Sequence, residues 1–274
     1  MTDYGAWLDL LILVLGSFVP ALIYLAWVRR TERYGTERWG PLLKAFAYGA
    51  LFATITAAIV ETVIVYAGTA ISQNYPGPEF VFLNGNSPWG AFFLVLVIAP
   101  VVEEALKASG VASFRASFQQ VADGPVFGAS VGLGFGFFET FLYGLGAYLV
   151  GGLAAGLALI LIRSVSSVLL HGSSTGMFGY GYARSTFRQP GPGSWSYYGV
   201  AVGMHASFNA LASLSAILAI VGISGFASDA AGAIALLAAI FFAFWAIEHV
   251  RAIIQAADYP ALAGVSYRNR RPGT

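Results

Sequence analysis

The chain has 274 residues, 58% hydrophobic and 10% charged, with a mean hydropathy of +0.73. A soluble domain carries about 25% charged residues, so this composition excludes a water-soluble enzyme. A net charge of +1 gives no pull toward nucleic acid, and the absence of cysteine excludes disulfides, zinc–thiolate sites, iron–sulfur ligation and a thiol nucleophile.

A transmembrane helix needs about 20 apolar residues, so the chain has room for about seven. The first apolar run is 7–28. It carries Asp3 and Asp9 instead of a basic leader segment, and reads as a span rather than a removed signal peptide. The second run is 41–71, and the Asn-, Pro- and Gly-rich stretch 72–88 reads as a loop. Further spans are expected at 89–114, 126–150 and 153–182. A Pro/Gly loop over 188–193 precedes the sixth span, 198–223, and the seventh is 229–250. The expectation is an all-α, polytopic membrane helix bundle forming one integral domain, 1–274. Its core is expected at about 89–223, its peripheral helices at 7–28, 41–71 and 229–250, and a flexible tail at 259–274.

The positive-inside rule orients the bundle. With the loop after the first span in the cytoplasm, Arg29, Arg30, Arg33, Arg38, Lys44, Arg115, Arg184, Arg188, Arg251, Arg268, Arg270 and Arg271 all fall on that side. The outer loops then hold no Lys or Arg. The N-terminus is therefore expected outside, the C-terminus in the cytoplasm, and the protein in the cell membrane as a multi-pass chain. Gly128, Gly132 and Gly136 repeat every four residues, a pattern that lets helices pack closely.

Charges within hydrocarbon are costly, so the ionisable residues left inside the spans point to function. Glu248 and His249, beside Arg251, read as an interfacial cluster. Glu61 is isolated in the second span and reads equally as a structural carboxyl or a site residue. The others are Glu103, Glu104, Lys107, Glu139, Arg163, His171 and His205. Four consecutive spans deliver Glu103, Glu139, His171 and His205 to about one depth, which points to one shared site. Lys107 lies on the Glu103 face of its helix, Asn209 lies one turn from His205, and Arg163 is placed to pair with Glu139.

Three carboxylates against Lys107 and Arg163 leave a formal charge of −1, which in low dielectric calls for a proton or a bound cation. Two His and one Glu form a catalytic zinc ligand set. His171, His205 and Glu139 are the candidate ligands, with Glu103 or Glu104 as general base or a further ligand. Asn209 or Arg163 is placed to hold the developing oxyanion. A metal-free mechanism, with a glutamate activating water, fits the same residues. A serine nucleophile among Ser167, Ser173, Ser174 and Ser207 is a weaker alternative. From other classes, a proton- or ion-coupled transporter and a non-enzymatic scaffold also use buried Glu and His.

Several motifs occur in a telling order. Glu103-Glu104-Ala105-Leu106-Lys107 forms E-E-x-x-K after Pro100. Asp123-Gly124 leads, through Gly132 and Gly134, into Phe135-x-x-x-Glu139. His171 follows Arg163, and His205-x-x-x-Asn209 comes last. This order, across about 100–209, resembles the PrsW family of intramembrane proteases. It is more distantly similar to the type II CAAX prenyl endopeptidase and bacteriocin-immunity superfamily, which usually has His where Glu139 stands. The resemblance implies hydrolysis of membrane-protein or peptide substrates in the lipid bilayer, in bacterial members a single-span anti-sigma factor. It also implies a grouping with metallopeptidases, zinc being the expected metal, while a glutamate mechanism is argued for the CAAX relatives. Asn209 stands where the PrsW motif often has Asp, which favours an oxyanion- or substrate-binding role there.

Overall fold

The computed structural model describes residues 4–75 and 77–258; the tail expected at 259–274 lies outside them. Every regular element among the described residues is helical. Backbone groups in hydrocarbon must be satisfied within their own segment, and apolar runs of this length meet that condition as helices. Helix α1 covers Tyr4–Arg29. The second span, Trp39–Asn74, is continuous but not uniform. It consists of α2 (Trp39–Ala47), a π-helical stretch (Tyr48–Ala53) and α3 (Thr54–Asn74). The Thr54 hydroxyl donates to the Gly49 carbonyl across the widened turn. The third span, Pro88–Ser113, repeats the device with α4 (Pro88–Phe93), a π-helical stretch (Leu94–Ile98) and α5 (Ala99–Ser113). The expected loop before it contains a short 3₁₀ helix, Pro78–Leu83.

Helix α6, Asp123–Ser164, has 42 residues and would be about 63 Å long if straight. It breaks at Gly152, whose φ of 74° and ψ of −172° are far from helical. Past the break the chain doubles back: a β-carbon on Gly156 would lie 2.9 Å from the Gly144 carbonyl oxygen. In a straight helix those residues would be about 18 Å apart. The division expected between 150 and 153 therefore falls at the break. A second interruption at Val165 and Ser166, absent from the sequence reading, separates α6 from α7 (Ser167–Thr186). The sixth run forms α8 (Ser194–Ala212) and α9 (Leu214–Ile220), bent by 65°. Helix α10 covers Phe226–Ala257 and extends past both ends of the expected seventh span.

Among the described residues five helices are long and apolar enough to cross a membrane, or six if the bent α8–α9 pair is one span. Large apolar side chains such as Ile23, Ile59, Val63, Leu237 and Phe241 are exposed, as a lipid-facing surface requires. The interior lies around α6 and α7. Gly128, Gly132 and Gly136 all face α7, where β-carbons would meet the Thr175 carbonyl, the His171 carbonyl and the Val168 Cα. These three positions allow near backbone contact and seat His171 against α6.

Replacing Gly132 by alanine forces its β-carbon into the His171 carbonyl. A loss of about 1–3 kcal/mol is expected in detergent unfolding. Gly146→Ala meets nothing within 4 Å and is expected to be neutral or stabilising by up to about 1 kcal/mol.

Candidate active site

The polar groups expected on four spans meet in the interior of the bundle. Pro100 opens α5, and one turn later this helix supplies Glu103, Glu104 and Lys107, all buried. Lys107 is fully enclosed. Its Nζ lies 2.8 Å from Glu104 Oε1, 3.4 Å from Glu103 Oε2 and 2.9 Å from His171 Nδ1. The Phe135 ring packs against the same ammonium, with its centroid 4.2 Å away. Phe135 sits one helical turn before Glu139, so the F-x-x-x-E spacing puts the ring and the carboxylate on one face of α6.

Glu139 accepts from Arg163 Nη2 at 2.7 Å and lies 2.7 Å from His171 Nε2. The expected Arg163–Glu139 pair is therefore present. Arg163 also donates to the Ser167 hydroxyl and lies over the Tyr143 ring. An ammonium has no lone pair, so His171 Nδ1 accepts from Lys107 and Nε2–H donates to Glu139. Both ring nitrogens are thus engaged.

Glu104 is surrounded by donors. Besides Lys107, Ser174 Oγ donates to Oε1 at 3.0 Å and Thr175 Oγ1 to Oε2 at 3.4 Å, and His205 Nδ1 lies 3.1 Å from Oε1. A carboxylate on Nδ1 sets the tautomer of His205 and leaves the Nε2 lone pair directed away from Glu104. That nitrogen lies 3.9 Å from Glu103 Oε2. The gap is too wide for a direct hydrogen bond and suits one bridging water. The two imidazole rings stand at 90°, with centroids 4.9 Å apart.

Glu103, His171 and His205 form a group whose ligand atoms all lie within 4.8 Å of one another. Glu139, named with the two histidines from the sequence, is outside this trio and instead holds His171 and Arg163. Asn209 is not brought into the cluster: its Nδ2 donates to the Val95 carbonyl in the π-helical stretch of the third span. Ser173 bonds back to the Leu170 carbonyl, Ser174 serves Glu104, Ser167 accepts from Arg163, and Ser207 is exposed. None of the four hydrogen-bonds an imidazole. Glu61 keeps one buried oxygen without a partner. At the end of α10, Glu248 pairs with Arg251, as the interfacial reading expected.

Sequence reasoning passed over Thr175 and took Ser174 only as a nucleophile candidate. Their positions three and four residues after His171 carry the signal, since that spacing puts them on its helix face. Ser174→Ala removes a donor from a buried carboxylate, and a stability loss of about 1–3 kcal/mol is expected. Ser173→Ala loses only a backbone contact and is expected to change stability by under about 1 kcal/mol in the same unfolding assay.

Residues 37–247 match the family described as PrsW family intramembrane metalloprotease. No curated protein and no solved structure matches the chain. The match covers more than half of the sequence and includes every residue of the cluster. The chain belongs to the PrsW family of intramembrane metalloproteases.

Proposed function

We propose that the buried cluster hydrolyses peptide bonds of single-span membrane proteins, with Glu103 as the base that activates water. Family membership supports protease activity and membrane-protein substrates. One observation carries the assignment to Glu103: the 3.9 Å gap between its Oε2 and His205 Nε2, beside a carboxylate with few bonds. Glu104, by contrast, is bonded on both oxygens and acts as a positioning residue for His205 and Lys107.

In this reading Glu103 takes a proton from water while the oxygen attacks the scissile carbonyl carbon. The C–N bond then breaks, and the proton passes from Glu103 to the leaving amine. The products are a carboxylate and an amine. Lys107 balances the charge of the two glutamates. Arg163 and Glu139 hold the His171 ring in place. Asn209 acts through the Val95 carbonyl, fixing α8 against the third span.

The family implies a divalent metal, and the residues fit one by type: two imidazoles and a carboxylate on separate helices. Glu103, His171 and His205 would hold it, in which case Glu103 serves as a ligand instead of as the base, and it would supply Lewis-acid polarisation of water and of the substrate carbonyl. His171 Nδ1 lies 4.0 Å from Glu103 Oε2 but already accepts from Lys107, so a metal bound through that nitrogen would compete with the ammonium. This contact favours a second reading, a metal-free glutamate protease in which Lys107 stays in place. Ion-coupled transport has no comparable observation in its favour.

We further infer an anti-sigma-factor-like substrate in the cell membrane and seven crossings with the N-terminus outside. Dividing Asp123–Thr186 at the Gly152 reversal adds one crossing to the six counted with the bent pair.

The test is cleavage of a single-span substrate in liposomes. Glu103→Gln is expected to remain folded and to lose at least about 100-fold in turnover. Normal cleavage by this variant would remove Glu103 from the chemistry. Metal analysis of the active protein separates the two readings. About one metal ion per chain, lost in His171→Ala/His205→Ala, supports the first, and active metal-free protein supports the second.

A further inference from the structure

A second carboxylate group lies at the other end of α6. Glu32 and Glu37 come from the loop between α1 and α2, and Asp123 is the first residue of α6. All three are buried, and one oxygen from each lies within 4.8 Å of the others. Asp123 is 16 residues before Glu139, about 24 Å along the helix, so this group is separate from the catalytic cluster.

The cluster is short of positive charge. Among the described residues none of the three carboxylates has an ion-pair partner. Arg29 is the neighbouring cation, and its Nε–H goes to the Glu37 carbonyl oxygen. The bonds that are made leave coordinating capacity free. Asp123 Oδ2 accepts from the Gln119 and Gln120 amides, and Glu32 Oε2 accepts from the Glu37 amide. Glu32 Oε1 has no partner, although the residue is only 4% exposed. An unsatisfied buried carboxylate oxygen is costly, and it belongs to the residue that shares the group with Glu37 and Asp123. Burial pushes the Glu32 carboxyl up to about 8 and the Glu37 carboxyl up to about 7, which reflects the cost of holding these charges without a counter-ion.

We propose that Glu32, Glu37 and Asp123 bind one hard divalent cation, Ca²⁺ or Mg²⁺. The donors are all carboxylate oxygens, with no imidazole or thiolate, which selects hard cations over zinc. An ion with bonds of about 2.4 Å spans roughly 4.8 Å between opposite ligands, so oxygens that all lie within 4.8 Å of one another can share one ion. The ion would clamp the α1–α2 loop to the start of α6. Asp258, after α10, already ties into this region through the Arg33 and Tyr34 amides and the Gln120 side chain. The site is therefore a fastening point where three parts of the chain meet, outside the catalytic chemistry.

The test uses the full-length protein in detergent, stripped with chelator and titrated separately with CaCl₂ and MgCl₂. Direct calorimetry is expected to show one saturable site for at least one of the two ions, and the tighter ion identifies the occupant. Thermal unfolding is expected to shift up by about 5 °C or more at a hundredfold excess over Kd. Glu32→Gln/Glu37→Gln is expected to lose both binding and shift. It is also expected to be at least as stable as the chelated wild type, because it removes buried charge. Glu37→Gln alone, a smaller change, is expected to weaken binding at least tenfold. His171→Ala/His205→Ala is expected to retain the site. Absence of saturable binding by either ion in the wild-type protein overturns the proposal and points to carboxyls that share protons. Binding that survives Glu32→Gln/Glu37→Gln, or that disappears with the histidines, also overturns it.

Discussion

One ammonium group makes the rest of the site possible. Lys107 lies fully inside the bundle between Glu103 and Glu104, with His171 at its third side and the Phe135 ring packed against it. Two adjacent buried carboxylates would repel one another and resist ionisation without it. With it, Glu104 can gather Ser174, Thr175 and His205 from two other helices, and Glu103 is left with spare capacity. A second pair, Arg163 with Glu139, performs the same service for His171 from the opposite side. The two imidazoles are thus fixed by different carboxylates, and His205 Nε2 faces Glu103.

That arrangement needs helices closer than ordinary side chains permit. The glycine stripe of α6 supplies the approach to α7. Gly49 does the same where the π-helical stretch of the second span meets the Val131 carbonyl, since a β-carbon there would overlap it. Both π-helical stretches lie in spans that flank the site, and one of them presents the Val95 carbonyl to Asn209. Local departures from α geometry here coincide with close packing and with polar contacts between helices, a common association at functional sites.

Much of the site was legible in the sequence because charge is so scarce there. Glu103, Lys107, Glu139, Arg163, His171 and His205 stood out as ionisable residues in apolar runs. The helical repeat predicted the Glu103–Lys107 pair, and charge balance predicted Arg163 with Glu139. The fold class followed from hydropathy alone. The grouping of Glu103 with His171 and His205, which could hold a metal, did not, because spacing cannot say which of three glutamates lies nearest both imidazoles. Asn209 lies one turn from His205, as the spacing predicted, and its amide donates to the Val95 carbonyl of the π-helical stretch, a contact that spacing does not reveal. The interruption at Val165 and Ser166 and the bend after Ala212 contain no Pro or Gly, so apolar runs were read straight through them. Glu32 and Glu37 lie in the charged loop whose arginines served only to orient the bundle. Burial by the start of α6 and the chain after α10 is a tertiary effect that the loop's own composition does not encode.

The central claim is that Lys107 holds the glutamate pair together, and a double-mutant cycle in detergent unfolding tests it most directly. Lys107→Met alone strands buried carboxylates and is expected to cost about 3–5 kcal/mol. Adding Glu104→Gln to that variant removes one of the stranded charges, so the double variant is expected to be more stable than Lys107→Met, with a coupling of at least about 1 kcal/mol. Additive losses, or a Lys107→Met protein as stable as the wild type, would contradict the account.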